Sequence, residues 1–87
     1  RAYETEILDT TTRYNECIIT SIRTSQGLSL TKLKEEFGTE LWQYCLSMAA
    51  PSIKNGMLEE REGNLRLTRK GIFISDSIMS DLLKVEE

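Results

Sequence analysis

The feature that most constrains the fold is the run from Gly56 to Gly71, Gly-Met-Leu-Glu-Glu-Arg-Glu-Gly-Asn-Leu-Arg-Leu-Thr-Arg-Lys-Gly. Its Gly63-Asn64 dipeptide puts glycine first in a two-residue loop, which favours the type II′ turn that matches strand twist. Pairing across such a turn places three leucines on one face of a hairpin: Leu58, Leu65 and Leu67. Thr68 then stands in position to cap a helix. The run therefore predicts a β-hairpin that leads directly into a C-terminal helix.

The first helical pattern begins at a cap on Asp9 or Thr10 and continues to about Thr24, before Gly27 stops it. Its apolar side chains recur at helical spacing: Tyr14, Cys17, Ile18 and Ile22. Residues 1–9 show little periodicity, and residue 1 is not an initiator methionine. We therefore expect a connector over 1–9, partly extended and leading from a missing upstream domain, and a compact C-terminal domain over 10–87.

A second, shorter helix is expected after a short extended piece at Leu28 and Ser29. Ser29 is a favourable cap for a helix over residues 30–37, and Gly38 ends that helix in a tight turn. The inward positions of this helix are Leu30, Leu33 and Phe37.

The third helix is expected to be capped by Thr39, with Glu40 in its first turn, where a carboxylate is favoured by the helix dipole. Its apolar stripe comprises Leu41, Tyr44, Cys45, Met48, Ser52 and Ile53. Pro51 removes one backbone donor inside this pattern. We therefore expect a bend over residues 47–50 or a break into two pieces.

The final helix begins after Thr68, and its apolar positions align with Gly71 at helical spacing: Ile74, Ile78 and Leu82. Glycine costs a helix about 1 kcal/mol relative to alanine, so we expect Gly71 to permit a close backbone approach. Together these elements predict a mainly α domain with a small β-hairpin (α+β). The arrangement is winged-helix-like, with three helices, a two-stranded wing and a C-terminal helix.

Winged helices often bind DNA, but the charges of this chain do not favour it. The third helix, which would enter the groove, carries Glu40 and no base before Lys54. Eleven basic against fourteen acidic residues give a net charge of −3. Because phosphate neutralisation by Lys and Arg supplies most non-specific affinity, we expect no nucleic acid partner. A DNA-binding winged-helix domain of a transcription regulator is the alternative function.

Residues that carry chemistry are scarce. There is no histidine, and the two cysteines, Cys17 and Cys45, are too far apart for a zinc or iron-sulfur spacing. Both lie in apolar stripes, so we expect buried free thiols, as in a reducing cytoplasm. Neither a phosphate-binding glycine loop nor a nucleophile elbow occurs, and apolar runs are too short to cross a membrane. The sequence predicts no catalytic, cofactor or metal site.

Three surface features are candidates for contact with a partner. Glu16 and Arg23 lie seven residues apart on the first predicted helix, hence on one face, where the plain reading is a solvent-exposed pair. Trp42 lies one step off the core stripe and is either an interface anchor or peripheral core. Arg69 and Lys70 stand at a helix N-terminus, where the dipole disfavours cations, and give a weak indication of a partner carboxylate or phosphate.

Short motifs follow one another in a specific order: Arg13-Tyr14-Asn15-Glu16-Cys17-Ile18-Ile19-Thr20-Ser21-Ile22-Arg23-Thr24, then Gly27-Leu28, Phe37-Gly38, Gly56-Met57-Leu58 and Leu67-Thr68-Arg69-Lys70-Gly71. In order and spacing they resemble the C-terminal domain of oxygen-independent coproporphyrinogen III oxidase and its haem-chaperone relatives. The resemblance spans nearly all of the chain. It departs from the family pattern at Leu82-Leu83-Lys84, which no aromatic residue follows.

The resemblance implies a cytoplasmic parent with a radical S-adenosylmethionine barrel upstream, whose Cys-x-x-x-Cys-x-x-Cys motif holds a 4Fe-4S cluster. The oxidase branch decarboxylates two propionates of coproporphyrinogen III, whereas the chaperone branch binds and delivers haem, and both branches remain open. The C-terminal module of the family is a winged-helix-like cover beside the barrel. Glu16 and Arg23 match helix-one positions of the family, so the resemblance implies interdomain contacts there.

The combined interpretation is a non-catalytic accessory domain of a radical-SAM protein in porphyrin or haem metabolism. It is expected to help cover or position the porphyrin beside the barrel, with the barrel, a porphyrin or haem as partners. The chain alone is not expected to turn over a substrate.

Overall fold

The computed structural model describes the backbone of residues 2–85 and the side chains of residues 9–85. Within that part the chain forms five helices, α1 (Ala2–Ser21), α2 (Leu30–Phe37), α3 (Thr39–Lys54), α4 (Arg69–Ile72) and α5 (Ser75–Leu82), and three strands, β1 (Leu28–Ser29), β2 (Leu58–Arg61) and β3 (Asn64–Leu67). The strands form one antiparallel sheet in the order β1-β3-β2. The predicted α+β, winged-helix-like fold is confirmed.

The hairpin turn lies one residue earlier than predicted. Arg61 pairs with Asn64, so the loop is Glu62-Gly63 and Asn64 belongs to β3. Both loop residues have positive φ, 54° for Glu62 and 81° for Gly63, which defines a type I′ turn rather than type II′. The predicted face of the hairpin is confirmed, because Leu58 pairs with Leu67 and Leu65 lies two residues from Leu67.

A third strand adds to the two-stranded wing. The short extended piece expected at Leu28 and Ser29 pairs with the hairpin, with Leu28 opposite Leu65 and Ser29 opposite Asn64. The backbone N–H of Leu30 also donates to the carbonyl of Gly63 (3.0 Å). The wing is therefore fastened to the helical part of the domain at the start of α2.

The first helix begins earlier and ends earlier than predicted. It starts at Ala2, so the segment expected to be partly extended is helical, while the upstream domain to which it would lead stays a prediction. Residues 1, 86 and 87 lie outside the described part. The helix ends at Ser21 rather than Thr24, because Thr24 closes a turn in which its hydroxyl accepts the N–H of Gly27 (3.0 Å).

The bounds of α2 are confirmed, with the Ser29 hydroxyl accepting the N–H of Lys32 (3.2 Å) and Gly38 following the last helical residue. The cap predicted on Thr39 is wrong, because Thr39 is already helical and no side chain caps α3. A break at Pro51 is also wrong, since α3 is continuous to Lys54. Pro51 lies in the last turn, where few backbone bonds follow it.

Among the described residues, a single hydrophobic core lies between the sheet and helices α1, α2, α3 and α5. No hydrophobic side chain of α4 belongs to it. Its fully enclosed side chains come from α1, the three strands and the helices packed on them: Tyr14, Ile18, Ile22, Leu28, Leu33, Cys45, Leu58, Leu65 and Leu82. The stripe predicted for α3 is only partly inside, because Met48 and Ile53 are exposed while Ala49 is buried. Cys17 and Cys45 are free thiols, as predicted, although Cys17 is only half-buried.

The C-terminal helix is divided into α4 and α5 at Phe73 and Ile74. The predicted cap is confirmed, since the Thr68 hydroxyl accepts the N–H of Gly71 (3.1 Å). The predicted close approach at Gly71 is also confirmed, because a Cβ built there would lie 2.0 Å from the carbonyl oxygen of Met57. The turn of α4 is therefore pressed against the backbone that enters β2.

Replacement of Gly71 by alanine tests this packing, because the packing determines whether the free energy of unfolding rises or falls. Alanine normally stabilises a helix by about 1 kcal/mol relative to glycine. Here the methyl group would meet backbone that cannot move without disturbing the sheet, so we expect Gly71→Ala to lower the free energy of unfolding by about 2 kcal/mol or more. Urea denaturation measures the change. Lys70→Ala, one residue earlier on the exposed side, should stay within about 0.5 kcal/mol, and a stabilised Gly71→Ala variant would contradict the packing.

Candidate interdomain interface

The structure does not keep Glu16 and Arg23 on one helix. Glu16 is exposed on α1, whereas Arg23 lies in the turn beyond the end of α1. The guanidinium of Arg23 donates to the carboxylate of Asp76 in the first turn of α5. Both side chains are largely open to solvent, 52% for Arg23 and 89% for Asp76. The predicted interdomain role of Glu16 and Arg23 stays a prediction.

Trp42 lies half-buried on α3 and packs against the core. The ammonium of Lys34 stands 4.4 Å from the centroid of its ring. The ring also lines an open groove of about 630 Å³ between α2, α3 and the hairpin, with Leu30, Leu46 and Glu60 among the other lining residues. Trp42 thus combines peripheral packing with an accessible face, and its predicted interface role is still a prediction.

A second surface, which the sequence did not indicate as a contact, carries three consecutive exposed apolar residues. Ile72, Phe73 and Ile74, which we call the apolar junction, are 60%, 85% and 46% exposed between α4 and α5. Ile74 was expected inside the core. The sequence contained a signal for this exposure, because three consecutive residues of a helix cannot all lie on its buried face. Exposed apolar clusters of this kind mark interaction sites.

Three cations belong to the two elements that meet beside this surface. Arg69 and Lys70 open α4. Lys54 ends α3 two residues before Gly56, whose carbonyl accepts a hydrogen bond from the Thr68 hydroxyl (2.6 Å). Lys54, Arg69 and Lys70, which we call the basic edge, form no ion pair with any described residue. The chain as a whole carries a net charge of −3, so the basic edge is a local reversal of sign.

The last residue of α5 and the two residues after it are held by side chains of two other helices. The Tyr14 hydroxyl donates to the carbonyl of Leu82 (2.8 Å), and the Tyr44 hydroxyl donates to the carbonyl of Leu83 (2.9 Å). Asn15 donates to the carbonyl of Lys84 and accepts its N–H, each at 2.9 Å. Three consecutive residues are thereby fixed between α1 and α3. This clamp uses the Tyr14-Asn15 dipeptide of the motif from which the resemblance was drawn.

Tyr14 of this clamp and the neighbouring Cys45 are unsuited to acid–base or nucleophilic chemistry at neutral pH. Burial, followed by the neighbouring Cys45 thiol, raises the pKa of Tyr14 above its ordinary value of 10.0. Burial likewise raises the pKa of the Cys45 thiol above 9.0. Both groups are therefore protonated in the folded protein, and Cys45 is not an activated nucleophile.

Metal ligands do not converge in the part of the chain that the structure describes, since no group of three or more His, Cys, Asp or Glu side chains could hold an ion there. Cys17 and Cys45 belong to different helices and are half-buried and buried. These residues do not fit a 4Fe-4S cluster. Among the described helices, none has the length and apolarity required to span a bilayer.

The described residues form a small winged-helix-like module with exposed apolar residues at the junction of α4 and α5. The family model described as the HemN C-terminal domain matches residues 8–74. The chain belongs to that family, as the resemblance implied. No curated protein and no solved structure matched the chain.

Alkaline pH provides a test of the buried Tyr14 and Cys45. Both pKa values are raised in the folded state, so their contribution to stability is complete below their unfolded pKa values and is lost as pH rises above them. We expect the free energy of unfolding to fall from about pH 9 upward, by at most about 1.4 kcal/mol per pH unit for each group. Urea midpoints between pH 7 and pH 11 measure this slope.

The matched variant for that slope is Tyr14→Phe, which keeps the ring and removes the proton. Its stability should fall less steeply with pH than that of the unchanged chain above pH 10, since only one of the two buried groups remains to ionise on unfolding. Equal slopes for the two proteins would show that Tyr14 ionises as freely in the folded state as in the unfolded one.

Arg23→Ala separates an interface role from an internal one. Because the ion pair with Asp76 is exposed, the isolated domain should lose less than about 1 kcal/mol of stability in urea denaturation. An interface role of Arg23 predicts that docking of this domain to a neighbouring domain of a longer protein weakens, seen as faster proteolytic release. Arg13→Ala is the control, since Arg13 forms a comparably exposed pair with Glu36. A loss of several kcal/mol in the isolated domain would place Arg23 in an internal network.

Proposed function

We propose that this chain is the non-catalytic C-terminal accessory domain of a cytoplasmic radical-SAM protein that resembles oxygen-independent coproporphyrinogen III oxidase or its haem-chaperone relatives. In that role it packs beside the upstream barrel and helps to cover or position a porphyrin. Membership of the HemN C-terminal domain family carries the proposal.

The division of labour in this proposal assigns the chemistry to the barrel. By the resemblance, the barrel binds the 4Fe-4S cluster and S-adenosylmethionine, which together supply radical chemistry. The residues of this domain contribute position and enclosure instead. Two observations support such a role. Trp42 presents one face to an open groove. The apolar junction exposes three apolar side chains that the core of this domain does not use, and exposed apolar clusters mark interaction sites.

The charge pattern of α3 supports a protein or porphyrin partner over DNA. Its first turn carries Glu40, its last turn carries Lys54, and no residue between them is charged. A helix that reads a major groove normally supplies several cationic or amide side chains to bases and phosphates. We expect no binding of the isolated chain to duplex DNA even at low salt, and salt-dependent binding would favour the regulator instead.

Truncation of the full-length protein tests the proposed function. A version that ends before residue 10 of this chain should lose about tenfold or more of its coproporphyrinogen decarboxylation, or of its haem affinity in the chaperone case, because enclosure and positioning of the ligand are lost. The cluster absorbance of the truncated protein should be unchanged, which controls for damage to the barrel. The isolated chain should show no turnover. Unchanged activity and haem binding after truncation would refute the proposal.

A further inference from the structure

We propose that the apolar junction is the face by which this domain docks on a neighbouring folded domain, at an apolar surface bordered by carboxylates. The inference rests on the proposed function and deepens it, because it assigns the docking face and the chemistry of the surface that receives it. The occupant is the upstream barrel, through Asp or Glu side chains placed opposite the basic edge.

The outward direction of the apolar junction is imposed by the packing of α4. On the inner side of that turn, Gly71 lies against the Met57 carbonyl with no room for a Cβ. Thr68 fixes the turn by accepting the N–H of Gly71 and donating to the carbonyl of Gly56. The apolar junction follows this fixed turn directly, and its three side chains are exposed. We infer that their exposure is a consequence of how the turn is held.

Phe73 is the central residue of this face. It retains helical backbone angles (φ −66°, ψ −23°), so Arg69 and Lys70, four and three residues earlier, are its neighbours on the same turn. Its ring makes no aromatic or cation–π contact with any described residue. Exposed aromatic side chains beside arginine are the usual anchors of protein interfaces.

The unpaired cations select the partner. Asp76, the carboxylate nearest to Lys70 in sequence, is already engaged by Arg23, and no described carboxylate forms an ion pair with the basic edge. A partner surface with carboxylates at that edge would balance its charges and fix the orientation of docking. A symmetric dimer through this face would bring six cations into one interface without compensating acids. Three cations on an acidic chain are also fewer than the clusters that hold proteins on anionic membranes.

Hydroxyl-radical labelling of the full-length protein, read by mass spectrometry, tests the coverage of Phe73. Val85 is an internal reference, because its 81% exposure matches that of Phe73 outside the apolar junction. We expect the ratio of Phe73 to Val85 labelling to be about tenfold lower in the native protein than in the same protein unfolded in urea, as for a residue at the centre of an interface. An unchanged ratio would overturn the proposal.

Two pairs of variants in the full-length protein test the energetics. Phe73→Ser should speed amide hydrogen exchange of residues 69–76 by about tenfold or more. The reason is that loss of an interface anchor commonly weakens binding by about tenfold or more. Val85→Ser, the control, should leave this exchange unchanged. Lys70→Glu should also increase exchange, with a smaller effect at high salt, whereas Lys32→Glu makes the same change of charge on α2 and should be silent. Equal effects within each pair would overturn the proposal.

The alternatives give distinguishable results. Protection of Phe73 that requires phosphatidylserine vesicles would overturn the proposal in favour of a membrane, and protection that increases with protein concentration would overturn it in favour of a second copy. If truncation before residue 10 abolishes activity while Phe73 stays fully labelled in the native protein, the proposed function stands and the docking face is wrong.

Discussion

Tyr14 is the side chain on which the arrangement of the helices depends. Its ring lies edge-on to Phe37 of α2, with centroids 6.0 Å apart, and to Tyr44 of α3 at 6.2 Å. Its hydroxyl donates to the carbonyl of Leu82 at the end of α5. One residue of α1 therefore fixes the position of three other helices. Edge-to-face aromatic contacts and the hydrogen bond of the buried hydroxyl both depend on orientation, so they fix the angles between these helices. Aliphatic packing alone has no such directional preference.

Helix caps and helix-ending glycines in the sequence correctly predicted several helix boundaries, because these boundaries depend on neighbouring residues alone. The cap on Ser29 and the stop at Gly38 gave the bounds of α2, and Thr68 gave the start of α4. The position of the hairpin turn was not predictable from local sequence, because Glu62 has a positive φ, which residues with a side chain rarely adopt. The pairing of β3 with both β1 and β2 imposes this turn position. The division between α4 and α5 lies at Phe73 and Ile74, directly after the close contact of Gly71 with Met57.

The candidate contact surfaces were predictable only in part. The position of Trp42 one step off the core stripe predicts either packing or exposure, and the structure gives it both a packed and an open face. The expected placement of Glu16 and Arg23 on one helical face is wrong because α1 ends before Arg23. Arg23 instead meets Asp76 from a distant part of the sequence. Phe73 was overlooked because an apolar residue in a helical pattern is ordinarily assigned to a core. The tight contact of Gly71 with Met57, two residues earlier, is likewise a tertiary feature that no periodicity reveals.

Gly27 and Gly71 share a property that bears on how such a domain diverges. A Cβ at Gly27 would lie 2.4 Å from the carbonyl oxygen of Leu65, on a backbone with φ of 77°, and Gly71 has its own backbone obstruction. Core leucines and isoleucines can be exchanged for one another at modest cost, whereas neither glycine has a tolerable substitute. We therefore expect these two positions to outlast the hydrophobic residues as sequences drift, and to serve as fixed landmarks when remote members are aligned.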